Sequence, residues 1–294
     1  MKLFACICNQ PQRLPIALAP VRAALIAQPP VSRWGLGYIQ GGDVLLVRTP
    51  KASTVPVDLA GPLTAEIKTD CAIAQATRDD GSSLGGTDNT PPFRFRRWMY
   101  AQTGLDSRLF VDAGGAGGGP PRGIDARSEK AGSGGDERSE IAPRLLEHIP
   151  EYLRRNLKGR TPAELTFHVF LAMLHDEGNI DDPNLPPAAT RRALAATLRL
   201  ITAELARAGK TGVALGNVAL TNGRSMVVAH LDQPLRLRRL WVTGERGERD
   251  ESFRGFLLVS GGDGDPKDGF EDVPPQRAVL ISRDLQVAFA DLAP

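Results

Sequence analysis

Between Ser139 and Gly209 the large apolar residues fall at helical spacing, and on both sides of that block they cluster or alternate as strands do, an order open to few architectures. Ile141, Leu145, Ile149 and Leu153 recur every four residues and line one face of a helix beginning near Ser139, which Pro143 and Pro150 predict to start late and kink. Thr161-Pro162-Ala163-Glu164 combines a capping box with proline at the first helical position, so a helix should open there and close near Gly178. Leu194, Leu198, Ile201 and Leu205 form a further stripe, ended by Gly209. Each helix has one apolar face to bury, and the three together are expected to cover one face of a sheet.

The flanks supply that sheet. KLFACIC at 2–8 suits a buried strand, 16–27 reads as a short helix starting near Pro20, and 34–40 and 44–49 flank the glycines of a hairpin. Residues 51–63, with Pro56 and Pro62, read as irregular, and CAIAQAT at 71–77 resumes a strand. Past the helices, Asn222-Gly223 marks a hairpin between 213–221 and 225–231, and 235–242, 253–260, 278–282 and 285–290 continue as short strands. The prediction is α+β, with antiparallel sheets packed between helices and the Lys2 strand central in one of them. Residues 114–135 (GGAGGGPPRGIDARSEKAGSGG) have Ile124 as their only large apolar anchor and read as a flexible, exposed insertion.

Charge and cysteine content narrow the function classes. Lys+Arg 36 against Asp+Glu 34 is too balanced for nucleic acid or an anionic membrane as main partner, and RFRR at 94–97 and RLRR at 236–239 read as solvated strand faces. Three cysteines, Cys6, Cys8 and Cys71, form no disulfide framework and point to a reducing compartment. The apolar run at the start is too short for a signal segment and no run of 18 apolar residues follows, so the expectation is a cytoplasmic protein. His168 and His175, seven apart, do not form an i, i+4 metal pair, and 114–119 lacks the Lys-Ser/Thr of a phosphate loop; neither a metal nor another cofactor is expected.

The chemistry is concentrated in 88–105 (DNTPPFRFRRWMYAQTGL), where a strand runs into Gln102-Thr103-Gly104 and presents backbone N–H groups at its open end. Together with Leu3-Phe4-Ala5, Trp34-Gly35-Leu36-Gly37-Tyr38 and CAIAQAT, this stretch resembles the class II glutamine amidotransferases, in particular their small stand-alone bacterial members. Trp34 to Tyr38 is similar to the family's DGWGxGxY strand, CAIAQAT to AHIRxAT, Asn89 to Phe93 to NTHPF, and Trp98 to Gly104 to the WxYAHNG strand that closes on the oxyanion site. Ser139-Glu140 resembles the TDSE helix start. The resemblance implies an N-terminal-nucleophile αββα sandwich over 1–294 as a single domain, with 114–135 inserted.

It also implies where the chemistry should be, and there the residues depart. Lys2 stands in the place of the nucleophilic cysteine, and a lysine ammonium cannot replace a thiolate that must attack and then leave from a thioester. Ala74 replaces the arginine that holds the substrate carboxylate, and Ala72 the histidine before it; Arg78, four residues beyond Ala74, reads as too distant to substitute. Pro91 replaces a histidine, Thr103 the oxyanion asparagine, and Arg138 the carboxylate that receives the substrate amine, whereas Trp34, Gly35 and Gly104 are kept. These replacements point to a catalytically silent relative that binds a small molecule or a partner protein. The alternative is an active hydrolase in which removal of residues 1–5 makes Cys6 the N-terminal nucleophile.

Overall fold

The computed structural model describes residues 1–78, 84–104, 141–178, 180–244, 247–261 and 269–292; the insertion at 114–135 and Arg138 lie outside them. The chain begins with β1 (Lys2–Cys8) and α1 (Leu14–Leu18), which tightens into a 3-10 helix ending at Leu25. The helix expected from Pro20 thus starts earlier and is mostly 3-10. β2 (Ile26–Ala27) follows, then the hairpin of β3 (Arg33–Gln40) and β4 (Asp43–Thr49). Its turn is two residues, Gly41 and Gly42, both at positive φ, because Gln40 pairs with Asp43. The stretch read as irregular holds β5 (Val57–Asp58) and α2 (Gly61–Ala65), and β6 (Cys71–Thr77), β7 (Phe93–Phe95) and β8 (Trp98–Gln102) complete this part.

The helical block divides where its prolines require. α3 (Ile141–Glu147) stops short of Pro150, and α4 (Glu151–Arg154) restarts behind it, so Ile149 is buried from the turn between them and Leu153 from α4. α5 (Pro162–Glu177) and α6 (Pro187–Arg207) follow the capping box and the last stripe. β9 (Val218–Thr221), β10 (Met226–Ala229), β11 (Leu235–Leu240), β12 (Gly255–Ser260), β13 (Glu271–Asp272), β14 (Arg277–Ile281) and β15 (Val287–Asp291) end the chain. Thr221 pairs with Met226, so the Asn-Gly connection is four residues, one longer than expected, and Asn222 Oδ1 closes it by accepting the Arg224 and Ser225 amides.

Two large antiparallel sheets result, beside the two-stranded pair of β2 and β5. The seven-stranded sheet has the order β13-β11-β12-β1-β6-β3-β4, with β1 fourth and therefore central, and the six-stranded sheet has the order β15-β14-β10-β9-β8-β7. Leu3, Ala5, Ile7 and Ile73 of the first meet Met99, Ala101, Ala219 and Val228 of the second in the core between them. On the outer face of the seven-stranded sheet, Phe4, Cys6, Ala72 and Ala74 pack with Leu14, Leu18 and Leu63 of α1 and α2. On the outer face of the other, Tyr100 stacks on Phe167 at 5.1 Å and Trp98 meets the edge of Phe170 at 5.7 Å, which seats α5. The layers run helix, sheet, sheet, helix. No described helix is long and apolar enough to cross a membrane.

Candidate functional site

The alternation of β1 decides what reaches the ends of the sheets. Leu3, Ala5 and Ile7 face the second sheet, and Met1 shares their parity; Phe4, Cys6 and Cys8 face the outer core, and Lys2 shares theirs. Accordingly Met1 lies against the end of β8, where the Gly104 N–H donates to Met1 Sδ at 3.2 Å, while Lys2 Nζ donates to Ala24 O at 2.9 Å. The Met1 side chain, not that of Lys2, occupies the space facing the Gly104 amide.

Glycine geometry holds that amide in place. Gly104 sits at φ +78 and Gly216 beneath it at φ +69, where an added Cβ would fall 1.3 Å from Thr103 O. Thr103 is fully buried and committed to the same support: its N–H donates to Asn217 O at 2.9 Å, and its Oγ1 accepts the Asn217 N–H at 2.9 Å. Asn217 Nδ2 donates to Gln233 O and Ser260 Oγ, and its Oδ1 accepts the Leu231 and Asp232 amides. Every polar atom of that side chain is therefore used in fixing the loop.

Around Met1 and Gly104 lies a cavity of about 40 Å³, whose lining includes Arg33, Gln75, Thr77, Arg78 and Pro91. Room for a few waters or a small ion is what such a volume gives, against roughly 300–1,000 Å³ for ordinary small-molecule pockets. A cleft of about 620 Å³ adjoins it, shares Met1, Thr77 and Arg78, and includes Lys2. Gln75 Nε2 donates to Gln102 O at 2.7 Å, leaving Gln75 Oε1 buried without a partner. Gln102 is itself fixed, donating from Nε2 to Leu215 O and accepting the Tyr100 hydroxyl at 2.7 Å. The Arg33 guanidinium donates to Leu84 O.

The start of α5 forms one wall of the cavity. Thr161 Oγ1 accepts the Glu164 N–H at 3.2 Å, the forward half of the capping box. The Glu164 carboxylate does not return to Thr161; it accepts the Lys158 and Gly159 amides at 3.0 and 2.7 Å, and burial pushes its carboxyl up. Asn89 Oδ1 accepts the Arg160 amide at 2.7 Å, which ties the segment carrying Pro91 to the same turn. A Cβ at Gly35 would lie 2.3 Å from Pro91 O, so β3 also presses backbone to backbone on that segment.

Of the residues singled out in the sequence, Gly104 and Pro91 line the small cavity, Gly35 packs behind it, and Thr103 is sealed beneath it. Ala72 and Ala74 are fully buried on the other face of β6, in the outer core with Leu36, and Trp34 packs against the same core. At the cavity end of β6 the inward residues Gln75 and Thr77, with Arg78 just past the strand, line the cavity. Arg78, read as too distant to replace the arginine at the Ala74 position, lines the cavity from just past the end of β6, where strand alternation no longer assigns its face. The period-2 pattern of CAIAQAT carried the signal for Gln75 and Thr77, not for Arg78. Cys6 is fully buried at mid-strand between Ala72 and Leu257, and burial raises its thiol pKa well above the usual range. Cys8 and Cys71 are buried and pushed up to about 12. His168 is a core residue, its Nδ1 2.9 Å from Glu164 O and its pKa lowered by burial.

No family model and no curated protein matches the sequence. Among solved structures, the fold is similar to that of a glutamine aminotransferase class-II domain protein from Silicibacter pomeroyi, with a TM-score of 0.54 at 16% identity over 100% of both chains. A predicted glutamine amidotransferase from Pseudomonas aeruginosa gives a TM-score of 0.49 at 12% identity, over 98% of this chain and 99% of that one. At 16% identity the first likeness is one of fold.

Proposed function

We propose that residues 1–294 form one amidotransferase-like domain of the N-terminal-nucleophile αββα type, which has lost glutamine chemistry and serves as a binding or partner module. The observation that carries this reading is the Met1 thioether against the Gly104 amide, in a cavity whose described lining contains no thiol. A thioether has no proton to give up and cannot act as the attacking and departing sulfur of an acyl transfer. The volume of about 40 Å³ supports the same reading, since it leaves no room for a substrate side chain against the amide. Arg78 at the junction with the larger cleft favours an anionic small molecule there.

The Cys6 alternative meets a physical objection. Leu3, Phe4 and Ala5 pair with both β12 and β6, so removing residues 1–5 strips the centre of the seven-stranded sheet while Cys6 still faces the outer core. The test is ammonia release from glutamine by the purified protein, with covalent labelling by a glutamine-analogue electrophile read by intact mass. The expected outcome is neither turnover nor adduct. Turnover, or an adduct on Cys6 at a new N-terminus, overturns the silent reading and establishes the hydrolase.

A further inference from the structure

The end of the sandwich opposite Met1 carries a second cleft. There β1 runs out at Cys8, β6 begins, and the β3–β4, β7–β8, β9–β10 and β14–β15 hairpins turn. Phe95 pairs with Trp98, so Arg96 and Arg97, expected on a strand face, form the two-residue turn of β7–β8 instead. Two hollows of about 260 and 320 Å³ meet at Asp70, Gly223 and Arg224; Lys68 and Arg97 line the first, Arg283 the second. Four cations contributed by both sheets thus border one space.

These cations lack the acids that accompany arginines elsewhere, as in Arg13–Asp250, Arg192–Glu177 and Arg236–Asp272. Among the described residues none of the four is in an ion pair. The Nη1 atoms of Arg224 and Arg283 reach the same neutral oxygen, Asn184 Oδ1, at 3.3 and 3.4 Å, which holds two like charges side by side on long bonds. Arg97 Nη1 is buried without a partner. Asp70 is the one acid of the lining, and burial rather than any cation governs its carboxyl, which is pushed up. Guanidinium groups that border a concavity of several hundred Å³ and have no acid partner match the charge and fork geometry of a phosphate group.

We propose that this cleft binds a small phosphate-bearing anion, held between Arg97 and the Arg224–Arg283 pair and separate from the cavity at Met1. The length of β1, about 20 Å at strand rise, lies between the two. The test is titration of the full chain with inorganic phosphate, pyrophosphate and glycerol phosphate by calorimetry at constant ionic strength. Saturable one-site binding is expected, weakened at least tenfold by Arg224→Gln with Arg283→Gln, and likewise by Arg97→Lys, which keeps the charge and loses the fork. Arg155→Gln, at the exposed Arg155–Glu151 pair, should leave binding unchanged. Arg224 and Arg283 are exposed, so their variants are expected to fold, with unfolding transitions as the check. Tightest binding of phosphate alone identifies the free ion as ligand, and tighter binding of the monoester a phosphorylated metabolite. Absence of saturable binding, or binding unchanged in the folded double variant, overturns the proposal.

Discussion

At the scale of single residues, parity along one strand decides which side chain meets the Gly104 amide. Met1→Cys, made behind a removable initiator, places a thiol there, and the native variant is expected to take up one iodoacetamide adduct while the unmodified protein takes up none, read by intact mass. Labelling of the unmodified native protein would show that Cys6, Cys8 or Cys71 opens to solvent. The buried thiols also set a pH dependence. Their folded pKa values lie above the ordinary 9, about 12 for Cys8 and Cys71, so below that ordinary value the thiols are protonated in both states and their contribution is fully present. Above it the unfolded chain releases protons the folded chain retains, and stability should fall progressively as pH rises from about 9 towards about 12. Urea midpoints at pH 7, 9 and 10.5 measure this, and a flat profile would contradict it. Gly216→Ala should be among the most damaging small substitutions, because its Cβ would overlap Thr103 O and because φ +69 strains any side chain by about 1–3 kcal/mol before the clash.

At the scale of elements, α5 shows how a local signal can be read correctly and still do something unforeseen. Thr161→Ala removes an ordinary N-cap and should cost about 1 kcal/mol. Glu164→Ala should cost more, about 1–3 kcal/mol in all, since its carboxylate closes the turn by accepting the part-buried Lys158 and Gly159 amides rather than capping its own helix. Chemical denaturation of the two variants ranks them, and equal losses would refute the assigned role of Glu164. Gly159 fits this turn because a Cβ there would lie 2.6 Å from Glu164 Oε2 and 2.5 Å from Asp88 O. The same turn holds Asn89, and through it the segment of Pro91, against the cavity.

At the scale of the molecule, the core between the sheets is where the two halves of the chain depend on each other. Leu3→Ala, at a position 1% exposed, should cost about 2–5 kcal/mol and lower the melting temperature of the whole protein in one transition. Ile16→Ala, at 57% exposure on α1, should stay within about 0.5 kcal/mol. Comparable losses in calorimetry would mean that the sheets do not share a core. The two clefts sit at opposite ends of this core, so substitutions at Arg224 and Arg283 should leave the environment of Met1 unchanged.

The sequence by itself determined the layers. Apolar spacing at Leu194, Leu198, Ile201 and Leu205, the cap at Thr161 and the glycines at 41 and 42 are local, and local physics suffices to place a helix or a hairpin from them. The antiparallel sheets were expected from element order, and the buried place of β1 from its apolar run. Which residues meet in the cavity was decided only by tertiary structure. Met1, Gln75 and Thr77 come together with Gly104 because β1 and β6 present their inward faces to the end of a strand in the other sheet, and Arg78 joins them from just past the end of β6. Arg97, Arg224 and Arg283 belong to three hairpins, and their shared cleft arises because antiparallel sheets bring distant turns to one end of the sandwich.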